Sequence, residues 1–211
     1  MNRFPNDRVN NFSDAIFAIA ITLLILEVKT PSAGDIQALG LIGALDKLFP
    51  SFVSLLVSFF VTALYWRAHL ANGRYISSYD NKLLWLNIWL LLFVVALPFS
   101  TALYSKNFGS TATFIFYAIN LGLIGVFNYW MVNYTIKKEG FSEALTPVTA
   151  RWLKFRAFPA PMIWFFSAVL ATVMPLTARF LFVTIFLVQA IGDRRYKKAL
   201  TLETSRNAEN S

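Results

Sequence analysis

From Phe12 to Leu26 the chain is apolar for long enough to enter a bilayer, yet polar residues punctuate it: Ser13 and Asp14 near its start, Thr22 inside it and Glu27 at its far end. At 100° per residue, Ala15, Ile19, Thr22, Leu23 and Leu26 fall on one helical stripe, and Asp14 points elsewhere. One face is therefore apolar with a single hydroxyl in it. The same pattern recurs down the chain, and we place six spans at about 12–28, 49–69, 83–104, 111–135, 158–175 and 176–192. The third is expected to kink near Pro98, which membrane helices tolerate when neighbours satisfy the freed carbonyl. In the fourth, Gly122 and Gly125 allow close helix approach. The segment 31–47 reads as a loop with a short interfacial helix, 136–158 as a charged connector, and the polar tail 201–211 as disordered. Residues 1–200 then form one six-helix domain, all-α and integral to the membrane.

Composition agrees with that class. Of the 211 residues 57% are hydrophobic and 14% charged, whereas soluble domains carry about a quarter charged. There is no cysteine, which removes a disulfide framework, a thiol nucleophile and a thiolate metal site. The first span lacks a small-residue cleavage site and reads as retained. A net charge of +8 would suggest nucleic acid in a soluble protein; here it reports orientation. With both termini cytoplasmic, all of the 19 Lys and Arg except Lys29, Lys47, Lys106 and Arg179 lie inside. Five spans would put Arg194, Arg195, Lys197 and Lys198 outside, against the rule. Trp85, Trp89, Trp130, Trp152 and Trp164 read as interface or lipid-facing residues.

Ionisable groups within a span are costly and mark functional sites by default. Arg8-x-x-x-Phe12-Ser13-Asp14, running straight into the helix that ends LLILE, resembles the signature of the transmembrane protein 175 family. Those are potassium channels, endolysosomal in animals and with single-repeat relatives in bacteria; this chain, with one copy of the motif, is similar to the bacterial type. Trp66-x-x-His69 and Leu97-Pro98-Phe99 extend the resemblance more loosely. It implies passive K⁺ conduction by a homotetramer whose pore is lined by the first helix. Residues matching Ile19, Thr22 and Leu26 would face the axis, and Leu23 joins them by geometry. A ring of four Ile side chains is a constriction that gates by dewetting; Thr22 would offer hydroxyl oxygens to a passing K⁺.

The remaining polar residues carry two readings each. Arg8, Phe12, Ser13, Asp14, Trp66 and His69 form either a cluster that orients the first helix, with Asp14 paired to a base, or a coupling site for protons or ions. Glu27 is either a cation-concentrating ring at the outer mouth or a solvated helix end. A proton- or cation-coupled secondary transporter is the competing function, although no internal repeat is seen. An intramembrane enzyme is the weaker rival: with one histidine and no cysteine, neither a two-histidine metal site nor a Cys–His pair can be built in one subunit. The expected partners are K⁺, further copies of the chain and membrane lipids, with no nucleic acid and no cofactor.

Overall fold

The computed structural model describes residues 3–142 and 144–209, with side chains described through Thr201. The chain is all-α as expected, apart from a two-residue ladder in which β1 (Phe4–Pro5) pairs antiparallel with β2 (Ser78–Tyr79). That ladder ties the N-terminal arm to the turn after the second span.

The first helix, α1 (Asn6–Leu23), starts directly after Pro5 and carries Asp7 in its first turn, where an acid offsets the helix dipole. It tightens into a 3₁₀ turn over Leu24–Glu27. The connector holds α2 (Ala33–Asp46), capped by Ser32 and broken at Gly40, whose φ of 68° suits only glycine comfortably. Then come α3 (Phe49–Gly73), α4 (Asn81–Val95) and α5 (Leu97–Lys106). The break between α4 and α5 falls at Ala96, two residues before Pro98, where proline cannot donate to the helical ladder. Asn120 of the next helix reaches into this break, donating to the Phe93 carbonyl at 3.2 Å and to Ser100 Oγ at 3.1 Å.

That next helix, α6 (Thr111–Glu139), is the centre of the bundle. Ser110 caps its start and Gly140, at φ 71°, ends it. It packs on α4 and α5 on one side and α8 on another. The charged connector is α7 (Pro147–Ala157), capped by Thr146; Phe158 keeps helical angles, so α7 runs on into α8 (Pro159–Leu170) as a nearly continuous rod. A short α9 (Pro175–Phe180) and the long α10 (Phe182–Glu209) complete the chain. The backbone of α10 is helical through Glu209, within the tail 201–211 that the sequence reading took as disordered.

Among the described residues, five stretches are long and apolar enough to cross a membrane: Asn6–Glu27, Ala33–Gly73, Asn81–Lys106, Thr111–Glu139 and Pro175–Thr201. The remaining expected span, 158–175, is the twelve-residue α8, about 18 Å long at 1.5 Å per residue. It gains its reach from the preceding α7. The α6–α8 seam is close because Gly122 and Gly125 lack side chains: a Cβ on Gly122 would come within 2.9 Å of Phe165, and one on Gly125 within 2.8 Å of Pro161. At the start of α4, Asp80 caps the helix through Leu83 N and accepts from Tyr134 at 2.7 Å. Partial burial raises the Asp80 carboxyl, but those donors and nearby Lys138 outweigh it and hold the group below its usual value.

The seam gives a direct prediction. Gly125→Val should lower the thermal stability of purified protein by about 1–3 kcal/mol through overpacking. Gly109→Ala, whose Cβ would meet nothing within 4 Å, should change the melting profile little. Equal melting of the two variants in detergent would show that α6 and α8 do not need that contact.

Candidate functional site

The two faces of α1 have opposite surroundings. Val9, Ser13, Phe17, Ala20 and Leu24 are buried against the bundle. The row Arg8, Asn11, Phe12, Ala15, Ala18, Ile19, Thr22, Leu23 and Leu26 is uncovered. Ile19 is 57% exposed and Leu26 73%. The stripe read from periodicity is thus the bare face, and the 3₁₀ turn keeps Leu26 on it while Leu24 turns inward.

On that face Thr22 Oγ1 donates to the Ile19 carbonyl at 2.9 Å. Its proton is consumed by the backbone, which leaves the oxygen lone pairs facing outward as acceptors. Beside the row, Ile21 and Thr22 of α1, Ile25 of the 3₁₀ turn and Leu55, Leu56, Phe59 and Phe60 of α3 line an open apolar groove of ≈400 Å³.

The buried face is anchored by a directional chain of hydrogen bonds. Ser13 Oγ donates to the Val9 carbonyl at 2.8 Å, so it must accept from its second neighbour, Asn87 Nδ2, at 2.9 Å. That orients the Asn87 amide and turns Oδ1 toward His69 Nε2, 2.8 Å away. His69 Nε2 therefore carries a proton. Ser13, Asn87 and His69 are all almost completely buried, and the Phe17 ring packs on the His69 ring at 5.8 Å. Nearer the start of α1, Asn10 Oδ1 accepts from Tyr79 at 3.1 Å and Asn6 Nδ2 donates to the Gly73 carbonyl at 3.3 Å. A Cβ on Gly73 would meet Asn10 Nδ2 at 3.1 Å, a tight contact.

The cluster expected from sequence is thus divided. Ser13 and His69 meet only through Asn87, on α4, which sequence reasoning missed; its signal was a lone amide in the run LLWLNIWLLL. Asp14 and Trp66 do meet, the indole Nε1 donating to Asp14 Oδ1 at 2.8 Å. Among the described residues Asp14 makes no ion pair, where one reading of the sequence paired it to a base. Arg8 lies six residues earlier on the uncovered face, and Phe12, 60% exposed, lies there too. Glu27 faces Lys106 at the end of α5, 3.4 Å away, which offsets part of its charge; exposed pairs of this kind contribute about 0–1 kcal/mol. Among the described residues no group of three or more His, Cys, Asp or Glu could hold a metal ion.

Residues 8–98, from Arg8 to Pro98, match the family model described as "Endosomal/lysosomal potassium channel TMEM175". A potassium channel of Streptomyces collinus is 41% identical over 99 residues, which cover 47% of each chain. One of Chamaesiphon minutus is 34% identical over 125 residues, covering 57% of this chain and 62% of that one. The chain thus spans about half to three fifths of these relatives. The crystal structure of a lysosomal potassium-selective channel TMEM175 homolog from Chamaesiphon minutus superposes with a TM-score of 0.77 at 23% identity, covering 90% of this chain and 97% of that one. It shares the fold.

The hydrogen-bond chain predicts an asymmetry between two substitutions. Asn87→Leu leaves His69 Nε2 without a partner in the core and Ser13 Oγ with its Val9 bond alone, and should cost about 1–3 kcal/mol of stability. Asp14→Asn keeps an acceptor oxygen for Trp66 and should cost less. Thermal unfolding of both variants in detergent checks the order, and a reversed ranking would shift the anchor to Asp14.

Proposed function

We propose that this chain, whose residues 8–98 match the TMEM175 family model, is a potassium channel of that family that conducts K⁺ passively through a pore lined by α1. The observation that carries this is the uncovered face of α1. A helix facing lipid would be apolar and bulky throughout; this row mixes Arg8, Asn11, the small Ala15 and Ala18, and the Thr22 hydroxyl with Ile19, Leu23 and Leu26. Those residues suit a face shared with water, ions and other copies of the chain better than acyl chains.

Four copies around an axis complete the design. A pore built from one helix per subunit needs a closed ring, and the family resemblance implies a homotetramer. The groove between α1 and α3 then receives side chains of a neighbour. Ile19 and, one turn on, Leu23 and Leu26 form the narrow apolar neck. A K⁺ ion there loses water and gains no oxygen ligands from Ile, so the barrier is desolvation. The four Thr22 oxygens supply acceptors next to that neck. Ser13–Asn87–His69 and Asp14–Trp66 act indirectly, by fixing the rotation of α1 on the bundle. Glu27, with Lys106, sits at the outer mouth. In this reading both termini lie inside, in the cell membrane, which the uneven distribution of basic residues supports.

The test is ion flux from purified protein in liposomes under K⁺/Na⁺ gradients. Ile19→Ala and Ile19→Asn widen or wet the neck and should raise cation current and relax the K⁺ preference. Ile16→Ala, half-buried against the core, should do less at matched protein density. Equal effects at Ile16 and Ile19, or none at Ile19, would move the constriction elsewhere. A flux that requires a second ion would replace the channel with the coupled transporter.

Assembly is tested separately. Mass determination in detergent or nanodiscs should give four copies. A monomer that conducts would remove the basis for a pore lined by α1.

A further inference from the structure

Two packed helices change character side by side. α7 carries Arg151, Lys154 and Arg156 and runs on into the apolar α8. α10 is largely apolar from Phe182 to Gly192 and then reads Asp193, Arg194, Arg195, Tyr196, Lys197, Lys198. Where α7 and α10 meet, an open groove of ≈330 Å³ has Arg151, Trp152 and Phe155 on one wall and Gly192, Arg195 and Tyr196 on the other. A passage from apolar to charged sequence on both walls is the level of the lipid headgroups, where Trp and Tyr also collect.

The groove carries positive charge without a counter-charge. Arg151 and Arg195 are both exposed. Arg151 Nε donates to the Pro147 carbonyl at 3.3 Å, its only side-chain hydrogen bond among the described residues, and the Arg195 side chain makes none. Neither forms an ion pair among those residues. No acid lines the groove. Asp193, two positions before Arg195, is spent elsewhere: Oδ2 faces Arg67 Nη2 at 3.3 Å and Oδ1 accepts from Trp152 Nε1 at 3.1 Å.

The walls between the two arginines are aromatic and fixed. The Trp152 and Tyr196 rings stack with centroids 4.4 Å apart, and the Tyr196 hydroxyl bonds to Thr149 Oγ1 at 3.3 Å. The Phe155 ring lies over Gly192, where a Cβ would come within 2.3 Å of it, yet Phe155 stays 46% exposed. A small inorganic anion would satisfy the guanidinium groups and leave the apolar wall in water. A neutral acyl chain would cover the wall and leave the charges bare. A molecule with an anionic head and an apolar body satisfies both.

We propose that this groove binds an anionic phospholipid, its phosphodiester held by Arg151 and Arg195 and its glycerol end lying along Phe155 and Gly192. Guanidinium groups suit phosphate oxygens because they present paired donors in one plane, and basic pockets between membrane helices hold anionic headgroups. The lipid bridges α7 to α10. It lies apart from the bare face of the first helix, since α1 makes its main contacts with α3, α4 and α5 rather than with α7 or α10.

Native mass spectrometry of the full-length protein with added phosphatidylglycerol or phosphatidylcholine reads the binding without any ion flux, so its result is independent of the channel reading. The wild type should hold phosphatidylglycerol about tenfold more tightly than the zwitterionic phosphatidylcholine. Arg151→Gln with Arg195→Gln should weaken phosphatidylglycerol binding about thirtyfold, the effect of two arginines at an anionic surface. Arg194→Gln with Lys198→Gln removes the same charge from exposed positions of α10 that do not line the groove, and should weaken it less than about threefold. Equal losses in the two double variants would reduce the effect to general charge and overturn the proposal. So would glycerol phosphate displacing the lipid at equal concentration, which would give the groove to a soluble phosphate.

Discussion

The amide of Asn87 holds the first helix in rotation. It donates to Ser13 and accepts from His69, and each of those groups is committed elsewhere or enclosed by apolar side chains. Inside a protein that itself sits in lipid, no water competes for these groups, so turning α1 by one position would cost the Asn87 amide its acceptor and turn the Ser13 hydroxyl out of the core. Every other property of α1 follows from that setting. With Ser13 inward, Val9, Phe17, Ala20 and Leu24 are inward by helical spacing, and the row through Ile19, Thr22 and Leu23 is outward.

The rest of the bundle gives that helix a rigid wall. α6 is gripped on one side by α4 and α5 and on another by α8, with Gly122 and Gly125 removing the side chains that would hold α8 away. The broken α4–α5 rod is stabilised by Asn120 at its break, and the buried hydroxyls of Ser58, Thr101 and Tyr117 bond to one another at 2.9 Å between α3, α5 and α6. Small residues and interhelical hydrogen bonds replace hydrophobic burial as the source of association, because lipid is as apolar as leucine. The result is a wall that presents α1 in one orientation to whatever lies on its bare side.

At the junction of α3, α7 and α10 the balance of charge is less complete. Arg67 and Arg156 both lie in the field of Asp193, and Arg156 is buried. Other charges at helix ends find partners: Lys106 with Glu27, Lys47 with Asp35, Lys138 with Glu139 and the Ser78 carbonyl. Arg179, at the end of α9, is intermediate: its Nε is buried without a hydrogen-bond partner while the guanidinium packs on the Tyr104 and Phe108 rings.

Hydropathy, charge and helical period determined a good deal from the sequence alone: an all-α membrane protein, the places of most of its spans, the break near Pro98, the close approach at Gly122 and Gly125, and the stripe on the first helix. These are local properties, written in 3.6-residue spacing and in runs of apolar residues long enough to cross a bilayer. Tertiary structure decided what local patterns cannot hold. Asn87 became the partner of Ser13 although 74 residues separate them, Trp66 rather than a base met Asp14, and Arg8 and Phe12 fell on the face away from the cluster. The continuity of α7 with α8 and the stranding of Arg156 were likewise settled there. Hydrogen-bond partners between helices depend on which faces are brought together and on who else competes for each donor, and one chain position does not encode that competition.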